Sequence, residues 1–461
     1  MSGSTIIVAT RAVSDLTETF SAVRDLRDIL RLAVPAMLAL ASHPLLNIGE
    51  TAMVGRLGTE PLAARAVGAA LSGALYWVFA FLTFGSTTLI GYHYGAKDFK
   101  ACGETFFHAV FLAVLGGLFI ATLCIIFAAD FFHLMGTGQA VALEGIPYFR
   151  LVIASAPLTL ISLSAVGFFR GVQDTRTPML MAFFTSGLQL ILDTGLIYGH
   201  LGLPRLGLTG AGLAALVAQL AGALTYIAIF FYSARTADYR SISWGISVAK
   251  LRPLFRIGHD LAIRTGALRG SLIFATSIAA RMGAVTLSAY EIAFQLFMLC
   301  SDIIDGLAVA GQALVAKYLG SRQDAAAYRM VKTLVFCGIA AGTIFMVAFL
   351  SAQQAILDFF TTSSEVVLSL SGGLFLLVAL LQPLNGVVFV LDGALIGARD
   401  TRYLMWAMLI GGLGIFVPIS WLSLHYGWGL AGILIGIGAL MSWRLLTNFL
   451  RFAGERWMYS G

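Results

Sequence analysis

Long apolar runs separated by short polar segments fill most of this chain. A helix needs about 20 mostly apolar residues to cross a bilayer, and in lipid its backbone polar groups must be satisfied within the segment. The pattern therefore predicts an all-α integral membrane protein. We expect twelve transmembrane helices at residues 31–55, 66–92, 105–130, 147–169, 178–200, 208–233, 260–283, 290–316, 331–352, 368–397, 404–424 and 428–450.

The polar segments indicate the topology. Residues 1–30 repeat apolar side chains at helical spacing, which predicts a cytoplasmic amphipathic helix lying on the membrane surface. Residues 234–259 and 451–461 are predicted to be a cytoplasmic linker and a cytoplasmic tail. If the N-terminus is inside, most of the 29 lysines and arginines lie in cytoplasmic segments. The outer loops then hold only Arg56, Arg65, Arg205 and Arg281. This asymmetry predicts a multi-pass protein of the cell inner (plasma) membrane with both termini in the cytoplasm.

An internal repeat divides the chain into two halves. Three features recur at an offset of 225 or 226: Arg-x-Gly at 56–58 and 281–283, a glycine at 95 and 320, and Gly-x-x-Asp-Thr-Arg at 171–176 and 397–402. The repeat predicts two six-helix lobes, an N-lobe at 31–233 and a C-lobe at 260–450. An even number of helices gives both lobes the same orientation, as in transporters whose halves rock around a central cavity.

Composition narrows the range of partners. The chain is 59% hydrophobic and 11% charged, with a mean hydropathy of +0.89, whereas soluble proteins carry about 25% charged residues. The net charge of +6 is spread over many short loops, so no nucleic-acid partner is expected. We expect a monomer that contacts membrane lipids and small organic substrates.

Two acidic residues stand inside predicted spans of the first half. They are Glu50, five residues before Gly55, and Asp193 on the fifth span. The repeat aligns them with Ala275 and Pro418, so the fold does not require a carboxylate at either place. An acid near the centre of a membrane helix costs about 3 kcal/mol, which makes it a functional candidate. Snorkelling of either acid to the outer interface is the alternative.

Each acid belongs to a polar stripe along one helical face. The two stripes are His43, Asn47 and Glu50 on the first span, and Thr185, Gln189 and Asp193 on the fifth. Such oxygen-bearing groups are suited to a proton or to a small hard cation such as Na⁺. Two carboxylates within a few ångströms cannot both be charged at low cost, so one should take up a proton near neutral pH. No other metal site is predicted.

Other residues inside the spans are weaker candidates for a functional role. Met37, Met53, Phe79 and Phe168, with His43, are candidates for lining a substrate cavity, although ordinary packing is the alternative. In the second half, depth along the helices predicts two ion pairs, Arg269 with Asp305 and Arg264 with Asp392. These pairs are either structural or part of a substrate pathway.

Several motifs resemble those of the multidrug and toxic compound extrusion (MATE) transporters. They are GETAMVGRLGTEPLAA, GFFRGVQDTRTP, LDTGLIYG and LDGALIGARDTR, and the stretch AYEIAFQLFMLCSDIIDGLAVAGQALVAKYLG resembles the DinF branch of that family. The resemblance implies twelve helices in two lobes that form a V. It implies antiport of organic, often cationic or amphipathic, compounds out of the cytoplasm, driven by H⁺ or Na⁺, with no cofactor besides the coupling ion.

The resemblance also assigns roles to the acids. The family has a coupling acid, usually aspartate, where this chain has Glu50, and a second acid that matches Asp193. It often has asparagine where this chain has Gln189, and one branch has a sodium-binding acid near Asn385. We therefore favour H⁺ over Na⁺. A lipid-linked precursor flippase of the same superfamily is the runner-up. An intramembrane enzyme would need clustered catalytic groups, and no HExxH or GxSxG motif is present.

Overall fold

The computed structural model describes residues 3–200, 202–243, 245–361 and 363–459, with side chains from Val23 onward except at residues 234, 235 and 459. For the predicted amphipathic helix at residues 1–30, part of the apolar side is therefore formed by side chains that are not described. Within the described residues every regular element is helical, which confirms the predicted fold class.

In the described part of the chain, the first lobe contains nine helices. They are α1 Gly3–Gly55, α2 Thr59–Val78, α3 Phe81–Gly95, α4 Phe99–Ile126, α5 Ala128–Leu134, α6 Gln139–Ala154, α7 Ala156–Gly171, α8 Arg176–Tyr198 and α9 Leu208–Tyr232. The second lobe contains α10 Val248–Arg281, α11 Ala284–Gly320, α12 Asp324–Ser351, α13 Gln353–Phe360, α14 Ser364–Leu370, α15 Gly373–Gly397, α16 Thr401–Leu409, α17 Val417–His425 and α18 Gly429–Ala453. A π-helical segment, Ile410–Phe416, joins α16 to α17.

All twelve predicted spans correspond to helices or to consecutive helix segments. Among the described residues, ten helices are long and apolar enough to cross a membrane, and α6 with α7 forms an eleventh crossing, bent by 43°. The remaining predicted span falls in α10, which carries Arg264 and Arg269 within its apolar half. α10 begins twelve residues before the predicted start of the second lobe. α1 continues as one helix through both Pro35 and Pro44.

The backbone shows the internal repeat directly. Left-handed backbone conformations are rare for residues other than glycine. They occur at Lys97 and Arg322, which are 225 residues apart, and at Gln173 and Arg399, which are 226 apart. Equivalent turns of the two lobes therefore share the same strained geometry.

The two lobes meet near one end of the molecule. We call this the linker end, because it also holds the chain between α9 and α10. The opposite side is the far end. Across the lobes, the Gln312 side chain donates hydrogen bonds to the Phe84 carbonyl at 2.7 Å and to the Thr88 hydroxyl at 2.8 Å. Gln173 donates to the Ala313 carbonyl at 3.0 Å. These bonds satisfy polar groups in an otherwise apolar interface.

Candidate functional site

Glu50 lies in the interior of the N-lobe, near the far end of α1. Only 5% of its surface is exposed. Its partner is Arg65 on α2, which is also buried: Arg65 Nε lies 3.1 Å from Glu50 Oε1, and Arg65 Nη2 donates to Glu50 Oε2 at 3.1 Å. Nη2 thus donates a charge-assisted hydrogen bond, whereas Nε is close to the carboxylate without forming a hydrogen bond. Tyr148 of α6 donates a further hydrogen bond to Glu50 Oε1 at 3.2 Å.

Arg65 also fixes the first predicted polar stripe. Its Nη1 donates to the Thr51 hydroxyl at 2.8 Å, and its Nη2 lies 3.3 Å from Asn47 Oδ1. The Asn47 amide in turn lies 3.1 Å from His43 Nδ1. Asn47 and His43 are exposed, so the stripe runs from the protein surface to the enclosed Glu50 carboxylate.

The sequence prediction for Arg65 was wrong. The predicted second span begins at residue 66 and leaves Arg65 in an outer loop, whereas α2 begins at Thr59. Arg65 therefore stands in the second turn of a helix, from which its side chain reaches into the lobe. The repeat could have identified Arg65 as a functional candidate. The equivalent residue of the C-lobe, Tyr290, is buried but uncharged, so the fold does not require a charge at this position.

Asp193 lies on α8, which packs against α1, and it is fully enclosed. Neither of its carboxyl oxygens has a hydrogen-bond partner within the described structure. The Tyr198 hydroxyl, one turn further along α8, donates to the Met53 carbonyl of α1 at 2.7 Å, which ties the two helices together. Glu50 and Asp193 therefore belong to adjoining helices of one lobe, one acid paired and the other unpaired.

The other residues of the second stripe differ in their surroundings. Gln189 is 6% exposed and follows the same buried face as Asp193. Thr185 is half-buried, and its hydroxyl donates to its own helix, to the Met181 carbonyl at 2.9 Å. Within the described residues, its hydroxyl forms no hydrogen bond with another group of the site. This local bond is the usual one for threonine inside a helix.

The proposed cavity residues are mostly packing residues. Phe168 is fully buried in the linker-end core, where its ring lies 4.9 Å from that of Phe106 and 5.3 Å from that of Phe230. The prediction that Phe168 lines a cavity is therefore wrong. Met53 and Phe79 pack against apolar clusters of the N-lobe, and Met37 packs at the junction of the lobes.

The predicted ion pairs of the C-lobe have different outcomes. Arg264 donates to Asp392 Oδ2 at 2.5 Å. Within the described residues Arg269 forms no ion pair with Asp305, and its guanidinium instead lies over the Trp77 ring of α2, 4.0 Å from the ring centre. Equal depth along two helices did not bring Arg269 and Asp305 together, because depth alone does not fix the direction in which a side chain leaves its helix.

Asp392 is the centre of a second buried network. Arg444 and Asn448, both on α18 and both at most 3% exposed, add to the bond from Arg264. Asn448 Nδ2 donates to Asp392 Oδ1 at 2.8 Å. Sequence reasoning missed Arg444 and Asn448, which stand one turn apart on the last span. The sequence feature that could have identified them is a single arginine inside an apolar run.

These features define a multi-pass helical membrane transporter, built as two repeated lobes with ionisable groups enclosed between helices. A sequence model of the MatE family matches residues 35–194 and 268–422, one block in each lobe and together more than half of the chain. The chain belongs to this family, whose members are transporters and not enzymes.

Similar proteins agree with this assignment. Protein DETOXIFICATION 44, chloroplastic, of Arabidopsis thaliana is 29% identical over 437 residues, covering 92% of this chain and 81% of the relative. DNA damage-inducible protein F of Escherichia coli is 25% identical over 406 residues, covering 86% of each chain. An outward-facing multidrug resistance MATE transporter shares the fold with a TM-score of 0.83 at 21% identity, covering 93% of this chain and 96% of that one.

Proposed function

We propose that this protein exports organic, cationic or amphipathic compounds from the cytoplasm in exchange for protons. It would do so by alternating access, in the cell inner membrane, with both termini and the linker end on the cytoplasmic side. Family membership and the multidrug resistance named for a similar structure support the export of organic compounds. The distribution of basic residues supports the orientation.

The enclosed carboxyl group of Asp193 is the observation that carries the proton assignment. An ionised carboxylate without hydrogen bonds is very costly in an apolar interior, whereas a neutral carboxylic acid costs far less. Within the described structure Asp193 has no hydrogen-bond partner for either oxygen and no surface exposure. In this conformation the uncharged acid is the favoured form, so Asp193 is the proton carrier of the proposal.

Glu50 has a different role in the proposed mechanism. Its charge is already balanced by Arg65, and both of its oxygens accept hydrogen bonds. When Asp193 loses its proton, a second negative charge arises in the same lobe and competes for the Arg65 guanidinium. Rearrangement of this cation between two acids on neighbouring helices would change how α1 packs against α8, and so link the proton to lobe movement.

The same contacts argue against sodium. A Na⁺ ion would need several oxygen ligands around one point. Here the guanidinium of Arg65 lies beside Glu50, and neither carboxyl oxygen of Asp193 has a hydrogen-bond partner in the described structure. The cross-lobe bonds of Gln312 and Gln173 join the lobes at the linker end, and in the proposed cycle they would have to break before that end could open.

The test is transport by purified protein in liposomes, with ethidium as the organic cation. A pH gradient should drive ethidium movement by the wild type, and a sodium gradient alone should not. Asp193→Asn should lose at least about tenfold in proton-driven rate, because it removes the titrating group while preserving shape. The control is Asp130→Asn, an exposed acid of α5, which should transport normally.

Two results would refute the proposal. A sodium gradient that drives transport in the absence of a pH gradient would make Na⁺ the coupling ion. Proton-driven transport by Asp193→Asn at the rate of Asp130→Asn would remove Asp193 from the coupling step.

A further inference from the structure

A groove at the linker end carries a concentration of positive charge that the proposed transport cycle does not use. Its volume is about 1000 Å³. We call it the arginine groove, and its charged lining residues are Arg24, Arg27, Arg31, Arg176 and Asp28. Four arginines and one aspartate leave three net positive charges.

Within the described residues, the charges of the four arginines are not paired. Arg24, Arg27 and Arg31 stand on one face of α1, at positions i, i+3 and i+7, and Arg176 opens α8. All four are exposed, and none of their guanidinium groups forms an ion pair or donates a hydrogen bond to another described residue. The start of α8 is itself occupied, since Asp174 accepts hydrogen bonds from the Arg176 and Thr177 amides.

Apolar side chains border the same groove. Val23, Leu26 and Leu30 also line it, and they are 61%, 38% and 44% exposed. They follow one another at helical spacing, directly before the predicted first span. The groove thus presents guanidinium groups beside an apolar strip at the depth where lipid headgroups meet acyl chains.

We propose that the arginine groove binds an anionic phospholipid. The phosphate would lie among the four guanidinium groups, which bind phosphate with two-point geometry, and an acyl chain would lie along Val23, Leu26 and Leu30. A bound headgroup bridges α1 and α8, the helices that carry Glu50 and Asp193, and holds their linker ends at a fixed spacing. The inference does not depend on which ion drives transport.

The experiment compares two variants of equal charge. The groove variant replaces Arg24, Arg27, Arg31 and Arg176 by glutamine. The control variant replaces four exposed arginines of the same end that lie outside the groove, Arg252, Arg256, Arg322 and Arg402. Each full-length protein is delipidated in neutral detergent. It then receives phosphatidylglycerol, phosphatidylcholine or inorganic phosphate, and bound lipid is counted by native mass spectrometry with thermal unfolding measured in parallel.

For the wild type and the control variant, phosphatidylglycerol should bind and raise the unfolding temperature, while phosphatidylcholine and inorganic phosphate should do neither. The affinity should fall about fivefold for each groove arginine removed. The unfolding temperature without lipid should be the same for both variants, which shows that the groove variant is folded. Equal phosphatidylglycerol affinity of the two variants overturns the proposal, and so does an equal temperature rise with inorganic phosphate.

Discussion

Gly95 and Gly320 occupy equivalent positions of the two lobes, and each packs against the backbone of the helix that carries the other. A Cβ on Gly95 would overlap the Lys317 carbonyl, and one on Gly320 would overlap the Tyr92 carbonyl. Tyr92 and Lys317 are themselves 225 residues apart. The contact is therefore reciprocal, as it is in a two-fold symmetric dimer, and it closes the linker end through a pair of residues without side chains.

We predict that Gly95→Ala and Gly320→Ala each destabilise this closed arrangement. Forcing a methyl group into a backbone contact should cost about 1–3 kcal/mol, measured as a fall in the free energy of unfolding in detergent. Gly73→Ala in α2 is the matched control, because open space surrounds that glycine. It should stabilise the protein by up to about 1 kcal/mol through helix propensity. Equal behaviour of all three variants would show that the lobes do not meet at these glycines.

A second prediction concerns the Glu50–Arg65 pair. Glu50→Gln leaves a buried guanidinium without its counter-charge and should cost about 3–5 kcal/mol in unfolding free energy. Glu60→Gln, which neutralises an exposed acid in the first turn of α2, should cost less than about 1 kcal/mol. The double variant Glu50→Gln/Arg65→Gln should be more stable than the sum of the two single changes, with a coupling of about 1–3 kcal/mol. Additive losses would mean that the pair does not form.

A third prediction contrasts two buried acids. Asp193→Leu removes a carboxyl group that has no hydrogen-bond partner among the described residues, so unfolding measurements should show little or no loss of stability. Asp392→Leu removes the acceptor shared by Arg264, Arg444 and Asn448, and it should destabilise the protein by at least about 3 kcal/mol. A large loss for Asp193→Leu would reveal a partner for Asp193 and contradict its enclosed, unpaired state.

The fourth prediction concerns the chain that joins the lobes. Glu104 of α4 binds this chain through the Ser243 hydroxyl at 2.5 Å, and it binds the adjoining first turn of α10 through Lys250. Glu104→Gln loses these charge-assisted bonds, so the chain should detach more often. Trypsin cleavage after Arg240 and Lys250 should then be about tenfold faster or more.

Glu144→Gln is the control for this change, because Glu144 is exposed on α6 at the other end of the molecule. Its cleavage rate should equal that of the wild type. Burial of Tyr239 against Phe99, at 5.5 Å between ring centres, also docks the chain and raises the pKa of the Tyr239 hydroxyl. Wild-type cleavage rates in Glu104→Gln would indicate that aromatic packing alone holds the chain in place.

The sequence by itself determined the all-helical fold, the position of the spans and the doubling of the lobes. Apolar runs that are long enough to cross a membrane fold as helices, because lipid offers no hydrogen bonds to the backbone and a helix satisfies its own. The sequence also identified Glu50 and Asp193 as functional candidates. Charged residues inside such a run are rare, and the second lobe has none at the two equivalent positions.

Only the tertiary structure decided which side chains meet. Helices that face lipid on one side and protein on the other are apolar on both, so the sequence pattern does not fix their rotation. In the structure Arg65 lies inside the lobe against Glu50, the Arg269 guanidinium lies over the Trp77 ring, and Phe168 is buried in a closed core. These contacts depend on the angle and depth at which one helix packs against another, and no local stretch of sequence encodes that relation.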